Sequence, residues 1–181
     1  NVYCFFGIFE AMRMSMGDIC LMESSILEPD WIHDFCRVFT DFTIAQYDYA
    51  FREVGKPDAF FLADDLGFSK GLFFSPGSLR ELLLPYYKEI VGFLHENGVL
   101  AILHACGGIT EAVPMIVEAG FDCLQPMEAK AGCNVVEYAK AFGDRIAFMG
   151  NMDVTVFNQN NDELTKQEVL GKLNALHEIG A

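Results

Sequence analysis

His104 and Cys106 are the residues in this chain best suited to chemistry by type and spacing. They follow Val99-Leu100-Ala101-Ile102-Leu103, an uninterrupted apolar run bounded by Gly98 and by Gly107-Gly108. A short apolar run between glycines reads as a strand covered on both faces, as in parallel sheets. Residues two apart on a strand leave it on the same side. Imidazole and thiolate together make a borderline-soft pair suited to zinc, and a catalytic zinc takes three protein ligands with one position open. The pair supplies two of the three. Plainer roles are also open: His104 bonded to a backbone carbonyl, and Cys106 as a small core hydrophobe. Gly107-Gly108 either offers free N–H groups to an anion or permits a tight turn.

Other apolar runs end the same way. Ala59-Phe60-Phe61-Leu62-Ala63 runs into Asp64-Asp65, the run at 121–124 into Gln125 and Glu128, and the run at 145–149 into Asn151 and Asp153. Parallel strands all point their carboxyl ends one way, and ligand sites form there. Any one strand followed by polar residues only marks the start of a loop; four together mark a site. Asp64 and Asp65 are candidate catalytic groups, as a general base or as an acceptor for a ring N–H, with loop solvation as the plain alternative. Adjacent residues on a strand face opposite ways, so one of the two enters the mouth. Glu128 is a candidate acid or third ligand. Gln125, Asn151 and Asp153 are candidate substrate contacts, as is Asp64. Cys123 reads as packing and Cys133 as a thiol in a glycine-flanked loop.

The elements that must position these groups alternate. Apolar runs at 2–9, 58–64, 99–103, 121–124 and 145–149 read as strands. Helical spacing covers 11–16, 31–54, 78–97, 109–119, 135–142 and 162–179, and 19–23 is too short to assign. In the long helix, Ile32, Phe35, Phe39, Phe42, Ala45 and Tyr49 trace one stripe. Ser78 and Glu81 form a capping-box pattern, and Pro85 predicts a kink. Strand–helix alternation implies a parallel sheet with right-handed crossovers. The chain has 181 residues, whereas an eight-stranded α/β barrel takes about 250. Its abrupt start and end fit an incomplete barrel of about five βα units, one partial domain over 1–181, with the remaining strands in a parent protein. A chain without an initiator methionine fits a fragment or a processed product.

Composition narrows the partners. With 52% hydrophobic residues and a net charge of −14, from 26 acids against 12 bases, a packed core is expected. Nucleic acid and anionic membranes are disfavoured, while a small-molecule substrate is not. No leader segment and no membrane span is visible, and six cysteines lie in apolar stretches. A reduced, cytoplasmic protein is the expectation.

Several of these stretches, taken in order, resemble a known family. They are Phe61-Leu62-Ala63-Asp64-Asp65-Leu66-Gly67, Ser75-Pro76, Leu84-Pro85-Tyr86-Tyr87-Lys88, Leu103-His104-Ala105-Cys106-Gly107, and the run from Gly143-Asp144-Arg145 through Phe148-Met149-Gly150-Asn151-Met152-Asp153. The set is similar to the uroporphyrinogen decarboxylase superfamily, which includes the corrinoid-dependent methyltransferases. The resemblance implies a TIM barrel with its pocket at the carboxyl ends of the strands. It likens His104 and Cys106 to the methyltransferases' zinc site, where zinc lowers the pKa of a thiol that accepts a methyl group from cobalamin. That branch takes a cysteine as third ligand from beyond the last helix, past the end of this chain. True decarboxylases need no metal and hold a tetrapyrrole through an acidic side chain and arginines; Asp64 falls in the matching strand-end region.

The expectation is therefore zinc-dependent methyl transfer from a corrinoid, free or carried by a corrinoid protein, to a thiol acceptor. The alternatives are porphyrinogen decarboxylation, and a non-catalytic fragment or corrinoid-protein docking module.

Overall fold

The computed structural model describes residues 1–180. Its order is β1 (Val2–Phe6), α1 (Ile8–Met16), α2 (Asp18–Leu27), α3 (Pro29–Glu53), β2 (Ala59–Ala63), a hairpin of β3 (Gly67–Phe68) and β4 (Gly71–Leu72), α4 (Pro76–Leu82), α5 (Leu84–Glu96), β5 (Leu100–Ala105), a 3₁₀ turn (Thr110–Ala112), α6 (Val113–Ala119), β6 (Cys123–Pro126), α7 (Val135–Phe142), β7 (Ala147–Phe148), α8 (Val154–Phe157) and α9 (Asp162–Glu178). β1, β2, β5, β6 and β7 form one parallel sheet in chain order. A doubly wound sheet reverses its strand order partway. This one does not, and with helices as crossovers it is an arc of a TIM barrel.

The register sorts side chains into two faces. Phe60, Leu62, Ala101, Leu103 and Leu124 point outward and are at most 1% exposed beneath the helices. The opposite face carries paired rows: Cys4, Phe61, Ile102 and Cys123, then Phe6, Ala63, His104 and Gln125 nearer the carboxyl ends. This face is the concave side of the arc, and its residues are half-buried or exposed.

Several elements depart from the sequence reading. The first strand stops at Phe6, because Gly7 begins α1 and carries Ile8 and Phe9 into the helix. The segment at 19–23 lies inside α2. α3 starts at Pro29, and its buried face is Ile32, Cys36, Thr40, Thr43, Tyr47 and Phe51. Phe42 and Tyr49 are 57% and 62% exposed. Two threonines on the buried side turned the apparent stripe by about one residue. The cap of α4 is Ser75, whose hydroxyl accepts from Ser78 N–H, rather than Ser78 itself. Pro85 falls in the first turn of a separate helix, α5, where its missing N–H costs nothing.

Asp64 is fully buried. Its carboxylate accepts from the backbone N–H of Glu10 at 2.7 Å and of Phe9 at 3.2 Å, and from the Tyr87 hydroxyl. It thus binds the open N–H groups at the start of α1. A Cβ on Gly7 would stand 2.1 Å from Asp64 Cγ, so only glycine lets α1 sit over this acid. Burial pushes the carboxyl from 3.8 up to about 7, against the pull of its three donors.

The hairpin β3–β4 lies against the loop after β5. Gly108 N–H donates to Phe68 O at 2.8 Å. Gly107 has φ +83°, and a Cβ there would meet the backbone carbon of Gly67 at 2.3 Å. The two glycines permit a close backbone crossing. Their N–H groups are taken, by Phe68 O and by Glu128, which removes the anion-site alternative.

Two outcomes are expected in the full-length protein. Gly107→Ala should lower stability by at least about 1–3 kcal/mol, read as a fall in the urea midpoint. Asp64→Asn, which can accept with one atom where the carboxylate uses two, should cost about 1–3 kcal/mol. Because the folded pKa of Asp64 is raised, its contribution is fully present below about 3.8 and is lost as pH rises through about 7. The stability gap between wild type and Asp64→Asn should therefore narrow from pH 4 to pH 7.5. A gap that widens would show this carboxyl to be ionised more readily in the fold.

Candidate metal centre

His104 stands at the carboxyl end of β5 with Gln125 beside it in register on β6. Its Nδ1 lies 2.7 Å from Gln125 Oε1. An amide oxygen only accepts, so Nδ1 carries the proton. Nε2 then faces the other way, 3.3 Å from Cys106 Sγ and 3.4 Å from Asp65 Oδ1. Asp65 Oδ1 also accepts the backbone N–H of Cys106 at 3.0 Å, tying the end of β2 to the loop after β5. One donor atom from each of Asp65, His104 and Cys106 falls within 4.8 Å of the others.

The donor set fits zinc: one imidazole nitrogen, one thiol and one carboxylate oxygen on a partly buried rim, with the second imidazole nitrogen already occupied. Asp65 is held below the usual carboxylate range, first by its hydrogen bond with His104 and then by the Cys106 N–H. The same bond raises His104. Cys106 is pushed up to about 12 by burial and by the negative charges of Asp65 and Glu128. Without a metal, the thiol keeps its proton and the imidazole holds its own more tightly than usual; a cation would compete with both.

Glu128 is a brace for this loop. Its Oε2 accepts from Gly107 N–H at 3.0 Å, and its Oε1 lies 3.6 Å from Lys130 Nζ. Glu128, Lys130, Pro126, Gly150 and Met152 line a cavity of about 260 Å³, joined to the Cys106 loop through Glu128. Buried Cys133 also points at this loop, its thiol donating to Gly107 O at 3.3 Å. In its glycine-flanked loop it is a buried packing thiol.

The structure brings Asp65, His104, Cys106 and Gln125 together and places the other candidates elsewhere. Asp64 faces away, as expected of one of two adjacent strand residues. Buried and saturated with donors from α1 and α5, it anchors α1 and does not open onto the rim. Asn151 is 2% exposed. Its side chain bonds Val135 N–H, Met127 O and Cys133 O, so it locks loops together and has no amide hydrogen left for a ligand. Asp153 caps α8 through Thr155 N–H and Oγ1. The sequence pointed to Asp65 as a base and to Gln125 as a substrate contact. Their placement beside His104 comes from register, which the sequence alone does not display. The expectation of a third ligand past the last helix has a rival within the chain, because Asp65 already occupies a third position.

Comparison with known proteins agrees with this architecture. A methyltransferase from Methanosarcina mazei superposes with a TM-score of 0.67 at 23% identity, over 82% of this chain and 42% of that one. At that identity the likeness is one of fold, and the chain spans less than half of that protein's length. No curated protein matches the chain. Among the described residues, no helix is long and apolar enough to cross a membrane. The uroporphyrinogen decarboxylase (URO-D) pattern matches residues 13–178. A match over nearly the whole sequence, on a parallel arc with its polar cluster at the strand ends, places the chain in the uroporphyrinogen decarboxylase family.

Proposed function

We propose that this chain is the metal-binding part of a methyltransferase that moves a methyl group from a corrinoid, free or carried by a corrinoid protein, to a small thiol. The observation that carries this reading is the convergence of Asp65, His104 and Cys106 within 4.8 Å. The fold shared with the Methanosarcina mazei methyltransferase supports it. Asp65, His104 and Cys106 hold the zinc. When bound there, zinc lowers the pKa of a thiol and keeps it as thiolate at neutral pH.

The chain's own groups do the rest. Asp65 and Cys106 contribute negative charge that matches a divalent ion, while Glu128 anchors the Gly107 N–H and so fixes the loop that bears Cys106. The cavity beside Glu128 receives the acceptor. Pro126, Met152 and Val154 give it apolar walls.

Full-length protein purified without chelator should carry about one zinc per chain. His104→Ala and Cys106→Ala should weaken zinc binding by more than about a hundredfold, and Asp65→Asn by less. Protein that purifies without zinc, and takes none up, defeats the reading. Porphyrinogen decarboxylation without methyl transfer to a thiol would then become the leading activity.

Zinc affinity should also rise with pH. Both His104 and Cys106 hold their protons more tightly than usual, so binding must release at least one. The expected slope is about tenfold in affinity per pH unit for each proton released. Competition against a chromophoric chelator between pH 6 and 8 measures it, and a flat profile would place the metal elsewhere.

A further inference from the structure

We infer that Gln125 is a positioning residue for His104: it sets which imidazole nitrogen faces the metal, and it does so without adding charge. The inference rests on the metal-site reading above and assigns a new role within that site.

The backbone gives the first reason. β5 and β6 pair in parallel with His104 opposite Gln125, and both belong to the concave row nearest the carboxyl ends. Paired residues on neighbouring strands point the same way, so the amide is delivered to the imidazole by register rather than by a flexible loop. The contact, Gln125 Oε1 to His104 Nδ1, is 2.7 Å. It lies at the short end for an N–H···O bond.

The second reason is what the bond leaves behind. With Nδ1–H committed to an oxygen acceptor, the nitrogen left to give up its proton and take a metal is Nε2, which faces Cys106 Sγ at 3.3 Å and Asp65 Oδ1 at 3.4 Å. Were the ring in its other tautomer, Nε2 would keep a hydrogen pointed at the metal position, and Nδ1 would have to take a hydrogen from the Gln125 amide NH2 in place of giving one to its oxygen. Phe61 lies against the ring, with centroids 5.6 Å apart. It limits rotation about the axis that the amide fixes.

The third reason is charge. Metal-bound imidazoles commonly use a carboxylate or a carbonyl for this purpose. Here Asp65 and Cys106 already balance a divalent ion, and the Glu128 carboxylate holds the Gly107 N–H beside Cys106. A third carboxylate at 125 would leave the site net negative. Glutamine provides the acceptor oxygen with no charge. The sequence reading made Gln125 a substrate contact; the hydrogen bond spends its oxygen on His104 instead.

The test uses full-length protein and zinc itself as the probe. Zinc affinity is measured by chelator competition for wild type, Gln125→Leu, Gln125→Asn and Gln125→Glu, with urea midpoints to confirm folding. The leucine variant keeps the bulk and loses the acceptor; the asparagine variant withdraws the acceptor by one methylene. Both should bind zinc about 10–100-fold more weakly than wild type. Gln125→Glu restores the acceptor and should recover most of that loss. In ¹⁵N spectra of zinc-loaded wild type, His104 should show a protonated Nδ1 and a metal-bound Nε2, and the leucine variant should lose this single pattern.

Leucine or asparagine variants that fold and bind zinc as tightly as wild type overturn the inference. So does a glutamate variant as weak as the leucine one, or metal on Nδ1. In each of those results wild type still binds zinc, and the proposed function stands. Absence of zinc binding in wild type overturns both.

Discussion

The site depends on strand register. β2, β5 and β6 pair in parallel so that Ala63, His104 and Gln125 fall in one row, with Asp65 two residues beyond Ala63 and Cys106 two beyond His104. Every polar contact in the cluster follows from that alignment. The imidazole meets an amide from the next strand on one side and a carboxylate from the previous strand end on the other. Covalent spacing along β5 alone gives only the imidazole–thiol pair; hydrogen bonding between strands supplies the rest.

Around this row the chain spends backbone N–H groups on carboxylates. Asp64 receives the start of α1, Asp65 receives Cys106, and Glu128 receives Gly107. In a chain of net charge −14, three acids at one end of the sheet would repel one another if left in water. Tying each to fixed N–H groups offsets part of that repulsion and immobilises the loops at the same time. Close crossings finish the arrangement: the hairpin of β3 and β4 presses on Gly107 and Gly108, where no side chain fits. A loop confined from both sides presents its thiol in one orientation.

Much of the architecture was legible in the sequence. Apolar runs marked β2, β5 and β6, and the strand–helix alternation gave the parallel arc. The polar strand ends located the rim. His104 and Cys106 converged as their spacing implied, and of Asp64 and Asp65 only one joined them, as alternation along a strand requires. What sequence could not display was contact across strands. Gln125 and Asp65 have no local signature of their roles, since these arise from residues 21 and 41 positions away in the chain. Asn151 and Asp153 show the opposite difficulty: asparagine and aspartate at a strand end suit a ligand, a loop lock and a helix cap equally well, and only their hydrogen bonds show Asn151 tying loops together and Asp153 capping α8. The α3 stripe failed because Thr40 and Thr43 occupy buried positions that a hydrophobicity pattern assigns to solvent.

The pair at the end of β2 has a corollary for how this segment can vary. Asp64 and Asp65 share a residue type but do opposite work, one under a helix and one at the open rim, and only the parity of the strand tells them apart. Insertion or loss of a single residue between Ala59 and Ala63 would exchange their faces. The composition would look unharmed, yet a helix would lose its anchor and the rim its carboxylate together. Length changes in this stretch are thus far more damaging than substitutions, and a relative that drifts here must do so in steps of two.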